Sequence, residues 1–336
     1  MLNLAELKEI LTQPQKIVIT THHKPDGDAL GSSLGLYHYL KQQQHEVTVI
    51  TPTDYPYFLQ WMPGNDNVII YTEKKERSAE LVQEANLIFC LDFNSLSRIN
   101  DLGELVKSSE AKKIMIDHHL DPENFDDFRH WNTTASSAAQ LVYEFIHELL
   151  GDKRSITAEV ATCLYTGIMT DTGSFRFPTT TSNVHRISAD LIDLGADNAT
   201  IHQLVYDHAS ENRLRFLGYC LSNKLEILPE YNTALIVVSR EEMNRFNINT
   251  GDTEGIVNYA LSINDIRLAA FIIERKDKVK ISLRSSGTFP ANEICKDHFH
   301  GGGHRNAAGG QSEDTLQQVV HQFKTLLPEY KNLLTQ

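Results

Sequence analysis

The sequence predicts a two-domain α/β protein, with an open parallel sheet in its first half and a smaller α+β domain in its second. Three observations carry this expectation. The chain has 336 residues, enough for two domains of about 150 residues each. Its first half alternates β-branched apolar runs with helix-like segments, the signature of a parallel sheet buried on both faces. From about Lys224 the texture changes to strand-like runs mixed with helices and a glycine cluster.

The elements follow in order. MLNLAELKEILTQPQ spaces Leu4, Leu7, Ile10 and Leu11 as a short amphipathic helix. It lacks the basic start and apolar stretch of a secretory signal. KIVITT (16–21) reads as a strand, ALGSSLGLYHYLKQQ as a helix, and EVTVIT (46–51), LIFCLD (87–92) and KIMID (113–117) as further strands. Helices SSAAQLVYEFIHELL and TAEVATCLYTGIMT come next, and 183–223 reads as mainly helical with polar joints. KLEIL, TALIVV, IRLAAFIIE and KVKISLR are the strands of the second half, and HGGGHRNAAGG (300–310) is its glycine cluster.

The bulk numbers exclude several classes. No apolar run approaches the roughly 20 residues of a membrane span. Cys90, Cys163, Cys220 and Cys295 lie far apart with no C-x-x-C pair, which argues against a zinc ribbon or disulfide framework and fits a reducing cytoplasm. A net charge of −13 disfavours nonspecific binding to long nucleic acid, though not a small phosphorylated ligand at a local site.

Ligands of open parallel sheets bind at the carboxyl ends of the strands. HHKPDGDA follows KIVITT, Asp92 ends LIFCLD, Asp117-His118-His119 ends KIMID, and Asp171 closes the helix GIMT. The fold therefore brings His22, Asp26, Asp28, Asp92 and His118 towards one edge, with Asp171 as a further candidate. Singly, each has a plainer role: Asp26 and Asp28 as a turn and helix cap, Asp92 as a loop-start cap, Asp171 as a turn, either histidine as a hydrogen-bonded loop residue. Together, four carboxylates would repel and raise one another's pKa values unless cations were present. Two divalent ions balance them, and mixed oxygen and imidazole ligands suit manganese, iron or zinc. A shared aspartate could hold two ions about 3.5–4 Å apart with a water between them as nucleophile, an arrangement suited to phosphoester hydrolysis. Asp117 is read as a structural anchor of the turn.

Gly31-Ser32-Ser33-Leu34-Gly35 matches the G-x-S-x-G nucleophile elbow. That motif needs its serine on a sharp turn directly after a strand, whereas here the glycines fall inside a predicted helix. They are expected to permit close helix–sheet packing.

Asp117-His118-His119 after a strand, with HHKPDGDA upstream, resembles the DHH phosphoesterase superfamily. GIMTDTGSFRF (167–177) is similar to that family's last metal motif, and SLRSSG (282–287) with GGGHRNAAGG (301–310) to its associated substrate-binding domain. The resemblance implies a catalytic domain over 1–190, a helical linker over 191–223 and a substrate-binding domain over 224–336. It implies one ion on His22, Asp26 and Asp92, and a second on Asp28, Asp92, His118 and Asp171, with manganese the expected metal. His119 would face the substrate, and His23 has no matching role.

In the second domain, Gly301, Gly302 and Gly303 offer backbone N–H groups as an anion cradle. His304 and Arg284 can donate to phosphate and Ser285 can add a hydroxyl. His298 and His300 are expected as surface histidines. The branch resembled acts on very short RNA and on 3′-phosphoadenosine 5′-phosphate. The implied protein is a cytoplasmic hydrolase of such nucleotides, with homodimerisation a family-level expectation. A phosphodiesterase for linear or cyclic dinucleotides and a noncatalytic nucleotide-binding regulator are the alternatives.

Overall fold

In the computed structural model, which describes residues 3–151 and 155–335, the chain divides into two compact units between His208 and Ala209. The outermost ends of the expected domains, residues 1 and 336, lie outside the described residues. The first unit opens with α1 (Leu4–Ile10), where Asn3 and Glu6 form a reciprocal capping box and Leu7 is buried.

Next come β1 (Lys16–Thr21), α2 (Gly27–Gln42), β2 (Glu46–Thr51), β3 (Ile69–Ile70), α3 (Lys75–Glu84), β4 (Leu87–Leu91), α4 (Leu102–Ser108), β5 (Lys112–Asp117) and β6 (Phe128–Trp131). The strands form one sheet in the order β3-β2-β1-β4-β5-β6, every pair parallel. Successive residues feed opposite cores. Ile17, Ile19, Phe89 and Leu91 join one cluster, while Val18, Ile88 and Cys90 join the other. Both faces are dry, and each large apolar side chain so buried stabilises by about 1.5–3 kcal/mol. That is why these strands read as unbroken apolar runs. The parallel α/β expectation is met, but β3 and β6 escaped sequence reading: one has two residues, and the other, FRHW, is a four-residue strand at the sheet edge.

The strand order reverses direction between β1 and β4. The chain leaves β1 towards β2 on one side and β4 towards β5 on the other, so a crevice opens at their carboxyl ends. This is where the acidic and histidine turns fall.

Helices α5 (Ala138–Glu144), α6 (Ala158–Asp171), α7 (Ser182–Asp193) and α8 (Asn198–Tyr206) complete the unit. The glycines of α2 serve a different contact from the one expected. A Cβ on Gly31 would come within 2.5 Å of the Cys163 carbonyl oxygen and 2.8 Å of the Gly167 nitrogen, and one on Gly35 would strike Leu164. These small residues therefore let α2 lie against α6, a helix–helix rather than helix–sheet approach. Ser33 donates to the Ala29 carbonyl within its own helix, so the elbow-like pentapeptide is helix interior.

The second unit contains α9 (Glu211–Tyr219), β7 (Leu225–Leu228), β8 (Thr233–Val238), α10 (Arg240–Arg245), α11 (Ile256–Leu261), β9 (Leu268–Glu274), β10 (Val279–Ser285), α12 (Ala291–His298), β11 (Gly302–His304), β12 (Ala307–Ser312) and α13 (Leu316–Leu334). Its sheet is mixed, in the order β11-β12-β10-β9-β8-β7, with β8 and β9 the parallel pair. Apolar clusters cover both faces of its centre. All four cysteines are free and buried, and burial pushes the Cys220 and Cys295 thiols up to about 12. Among the described residues no helix is long and apolar enough to cross a membrane.

Candidate active site

Asp92 lies between two imidazoles, one on each carboxylate oxygen. Its Oδ2 is 3.4 Å from His22 Nε2 and its Oδ1 is 3.4 Å from His118 Nε2. Around this centre, His22 Nε2 is 3.9 Å from Asp26 Oδ1, while His118 Nε2 is 3.5 Å from Asp171 Oδ2 and 3.8 Å from Asp28 Oδ2. The structure thus brings together the five residues singled out after the strands and the further candidate Asp171 from the end of α6.

Local structure aims each group. His22 Nδ1 is 2.9 Å from the His23 carbonyl oxygen, and His118 Nδ1 is 3.3 Å from the Ala135 carbonyl oxygen. A carbonyl only accepts, so the Nδ1 atoms donate to the carbonyls and the Nε2 atoms face the carboxylates. Such tethers fix tautomer and ring orientation in metal-binding histidines. Asp92 follows β4 with a left-handed φ of 62°, a conformation that aspartate adopts more readily than most residues. Its amide donates to the Ile116 carbonyl, which locks the turn to β5.

Asp26 combines the plainer role with the site role. It caps α2 by accepting from the amides of Asp28 and Ala29, and the same Oδ1 approaches His22. Asp28 does not cap its own helix. It accepts from the Ala138 and Ala139 amides at 2.6 and 2.8 Å, so the first turn of α5 holds its carboxylate in place. Asp171 arrives as the last residue of α6.

The charges are strained. Burial first, then Asp92 and Asp171, push the Asp28 carboxyl well above its ordinary value. Burial pushes Asp171 up to about 7, against the pull of His118. Burial would raise Asp92 too, but hydrogen bonding to His118 and His22 holds it well below the usual range. Burial would lower His22 and His118, and Asp92 with its neighbouring carboxylates outweighs it, leaving both raised. Asp92 Oδ1 is buried, with the His118 and His119 ring nitrogens no nearer than 3.4 and 3.6 Å. Carboxylates pushed towards neutrality and two imidazole nitrogens aimed inwards at a buried carboxylate are what a bound cation relieves. Two groups, His22-Asp26-Asp92 and Asp28-Asp92-His118, each present ligand atoms within 4.8 Å of one another, and Asp92 belongs to both. The residues fit divalent metal.

His119 sits beside this cluster, with Nδ1 2.8 Å from Asp117 Oδ1 and 3.6 Å from Asp92 Oδ1. Asp117 is fully buried. Its expected role as a turn anchor is therefore too small: it orients the second histidine. His23 binds the Arg98 carbonyl through both its amide and Nδ1, a loop contact as expected.

In the second unit, Arg284 pairs with Ala307 across β10 and β12, and Ala307 pairs with His304 across β12 and β11. Arg284 and His304 thus share one face and one rung, about 10 Å apart at their backbones. The glycine run is partly strand. Gly302 and Gly303 are paired strand residues, and the Gly301 amide donates to the Cys295 carbonyl. Glycine is needed there because a Cβ on Gly301 would meet the Gly309 carbonyl oxygen at 2.0 Å. Ser285 is buried, donates to the Phe289 carbonyl and accepts from Asn306, so its hydroxyl braces the turn after β10. His298 is half-buried against Tyr330, and His300 is exposed.

Comparison with known proteins matches this arrangement. The family model described as the DHH family, N-terminal domain, fits residues 16–168, and the DHHA1 domain model fits residues 232–334. A bifunctional oligoribonuclease and PAP phosphatase NrnA from Thermus thermophilus is 33% identical over 91% of this chain and 86% of its own length. The chain belongs to the DHH family. A DHH relative from Streptococcus mutans, named as a probable bifunctional oligoribonuclease and PAP phosphatase NrnA, is 30% identical over 95% of this chain and 94% of its own. The crystal structure of an exopolyphosphatase-related protein from Bacteroides fragilis is 42% identical, with a TM-score of 0.94 over 99% of this chain and 97% of that one.

Three contributors went unread in the sequence, two beside the carboxylate cluster of the first unit and one in the second unit. The α5 amides on Asp28 belong to alanines, whose side chains advertise nothing. Asn306, which clamps Ser285, Gly287 and Phe289, lies inside the glycine cluster. Trp131 sits on the missed strand β6 and donates from Nε1 to the His119 carbonyl at 2.8 Å.

Proposed function

We propose that this chain is a metal-dependent phosphoesterase that hydrolyses short oligoribonucleotides and 3′-phosphoadenosine 5′-phosphate. The observation that carries the reading is the position of Asp92, shared by two groups of metal-competent side chains in the crevice of a parallel sheet. His22, Asp26 and Asp92 would hold one ion, and Asp28, Asp92, His118 and Asp171 the other, with manganese the proposed metal. Bound there, divalent cations supply Lewis-acid stabilisation of phosphoryl charge and lower the pKa of an attacking water.

The protein's own groups do the rest. Asp117 holds His119 by Nδ1, and Nε2 is the atom proposed to donate to a phosphate oxygen. Arg284 and His304 are proposed as phosphate contacts of the substrate, supported by their common rung. The glycines between 301 and 303 and Ser285 join the reading as residues that shape that surface. The named activities of the Thermus and Streptococcus relatives support the substrate class. The net charge of −13 also favours short substrates, where a few contacts suffice over a repulsive surface. A cytoplasmic setting fits four buried free cysteines, and homodimerisation remains part of the proposal.

A second substrate class follows from the Bacteroides neighbour, described as exopolyphosphatase-related. The test incubates purified protein and manganese, in separate reactions, with a 5′-phosphorylated diribonucleotide, 3′-phosphoadenosine 5′-phosphate, and a short polyphosphate. Mononucleotides from the first and phosphate from the second are expected. Hydrolysis of polyphosphate alone would overturn the nucleotide reading.

A further inference from the structure

Beside the carboxylate cluster, the first unit exposes two large apolar side chains that packing does not explain. Trp131 is 41% exposed and Leu120 is 44% exposed, whereas the last four residues of β5 and the two histidines after it are buried. Trp131 is the last residue of β6 and pairs in register with Asp117, the residue that holds His119. Its carboxyl-end position puts it on the edge of the sheet that carries the site.

The segment bearing Leu120 is fixed from two sides. Trp131 Nε1 donates to the carbonyl of His119, and Asn94 Nδ2 donates to the carbonyl of Leu120 at 2.6 Å. Asn94 belongs to the loop that follows Asp92, and its own carbonyl accepts from the Glu123 amide at 2.7 Å. The indole is therefore anchored by its one polar atom, and a large part of its surface is left to solvent next to the histidine that faces the reacting phosphate. Exposing an aromatic ring costs burial energy, and holding it rigid means that a ligand can use it without ordering it first.

We propose that Trp131, with Leu120 beside it, is a stacking platform for a nucleobase of the substrate. The proposal rests on the phosphoesterase reading above and adds the residue that distinguishes a nucleotide from a bare phosphate chain. A purine or pyrimidine offers the flat apolar face that an exposed indole accepts, and stacking of this kind tolerates any base. A nucleoside whose phosphate lies against His119 has its sugar and base one short span away, and Trp131 contacts the backbone of that same histidine. Polyphosphate has nothing to stack.

The test compares wild type, Trp131→Ala and Trp131→Phe on a 5′-phosphorylated diadenylate and on its analogue with both bases replaced by hydrogen. The readout is the ratio of kcat/KM for the two substrates, and binding of adenosine monophosphate is followed in parallel by tryptophan fluorescence. Wild type should prefer the base-bearing substrate, the alanine variant should lose about tenfold of that preference through KM, and phenylalanine should restore most of it. Phenylalanine lacks the bond to the His119 carbonyl but keeps a ring, so recovery assigns the effect to stacking. Adenosine monophosphate should quench wild-type fluorescence and quench Trp131→Phe far less. An unchanged ratio in Trp131→Ala overturns the platform while leaving the phosphoesterase reading intact. So does a variant that falls equally on both substrates, or one that only changes oligomeric state in size-exclusion chromatography. Wild type inactive on every nucleotide overturns both readings.

Discussion

His119 Nδ1 and Asp117 Oδ1 are 2.8 Å apart, and the second oxygen of that carboxylate is buried with no hydrogen bond among the described residues. Asp117 therefore spends its only bonded oxygen on one histidine. Carboxylate–histidine pairs of this kind set which ring nitrogen carries the proton. Asp117→Asn keeps the shape but removes the charge and can present an N–H to the ring. Steady-state kinetics should show kcat lowered roughly 10- to 100-fold, with KM and bound metal little changed. A loss of metal equal to the loss of rate would show that Asp117 acts through the ions instead.

Protons should compete with metal in a defined direction. Burial raises Asp171 to about 7 and Asp28 well above the carboxyl range, against about 3.9 when unfolded. The folded chain then holds protons that the unfolded chain has released, so stability falls as pH rises from about 4 to about 7. His22 and His118, both raised, contribute stability that is present below about 6.5 and lost as pH rises through their folded values. Asp92 is depressed and acts with the opposite sign, but only on acidification below about 4. Chelator-treated protein should therefore melt at lower temperature at pH 8 than at pH 5.5, and manganese should abolish or invert that slope. Differential scanning calorimetry with and without chelator reads it directly, and a chelated protein more stable at pH 8 would contradict the charge assignment.

Gly31 permits the close approach of α2 to α6, the helices that deliver Asp28 and Asp171. In Gly31→Ala the new methyl meets backbone atoms of Cys163 and Gly167, which have no flexible way to yield. Overpacking of this sort costs about 1–3 kcal/mol, measurable as a lowered urea midpoint at unchanged slope. Turnover should fall with it, because Asp28 rides on the displaced helix.

Arg284→Lys keeps the charge and removes the planar fork. If Arg284 and His304 grip phosphate from one rung, KM for a 5′-phosphorylated diribonucleotide should rise about tenfold while kcat moves less. Unchanged KM would remove Arg284 from the substrate contacts.

What the sequence made legible was the set of groups at strand ends, because apolar runs such as KIVITT and KIMID feed two cores and must end where the core ends. Asp92 and His118 were readable for that reason, and Asp171 from the motif that closes α6. What it hid depended on contacts between distant segments. Asp28 was legible as a ligand candidate, but the amides of Ala138 and Ala139 that hold its carboxylate come from α5 and were not. The glycines of α2 look alike whether a sheet or a helix lies opposite them. Gly301 and Gly303 read as an anion cradle, and the sequence does not show that β12 also passes within 3 Å of a Cβ placed there. Trp131 stayed silent because FRHW, a four-residue edge strand, has almost no apolar alternation to announce it.

The shared role of Asp92 is the centre of the account, and metal counting tests it most directly. Wild type and Asp92→Ala would be equilibrated with manganese, freed of excess metal, and measured for bound ion by mass spectrometry, with circular dichroism confirming the fold. Two ions per chain in wild type are expected, with at most one weakly held ion and no turnover of a 5′-phosphorylated diribonucleotide in the folded variant. A folded Asp92→Ala protein that keeps two ions and full turnover would contradict the claim that one carboxylate serves both.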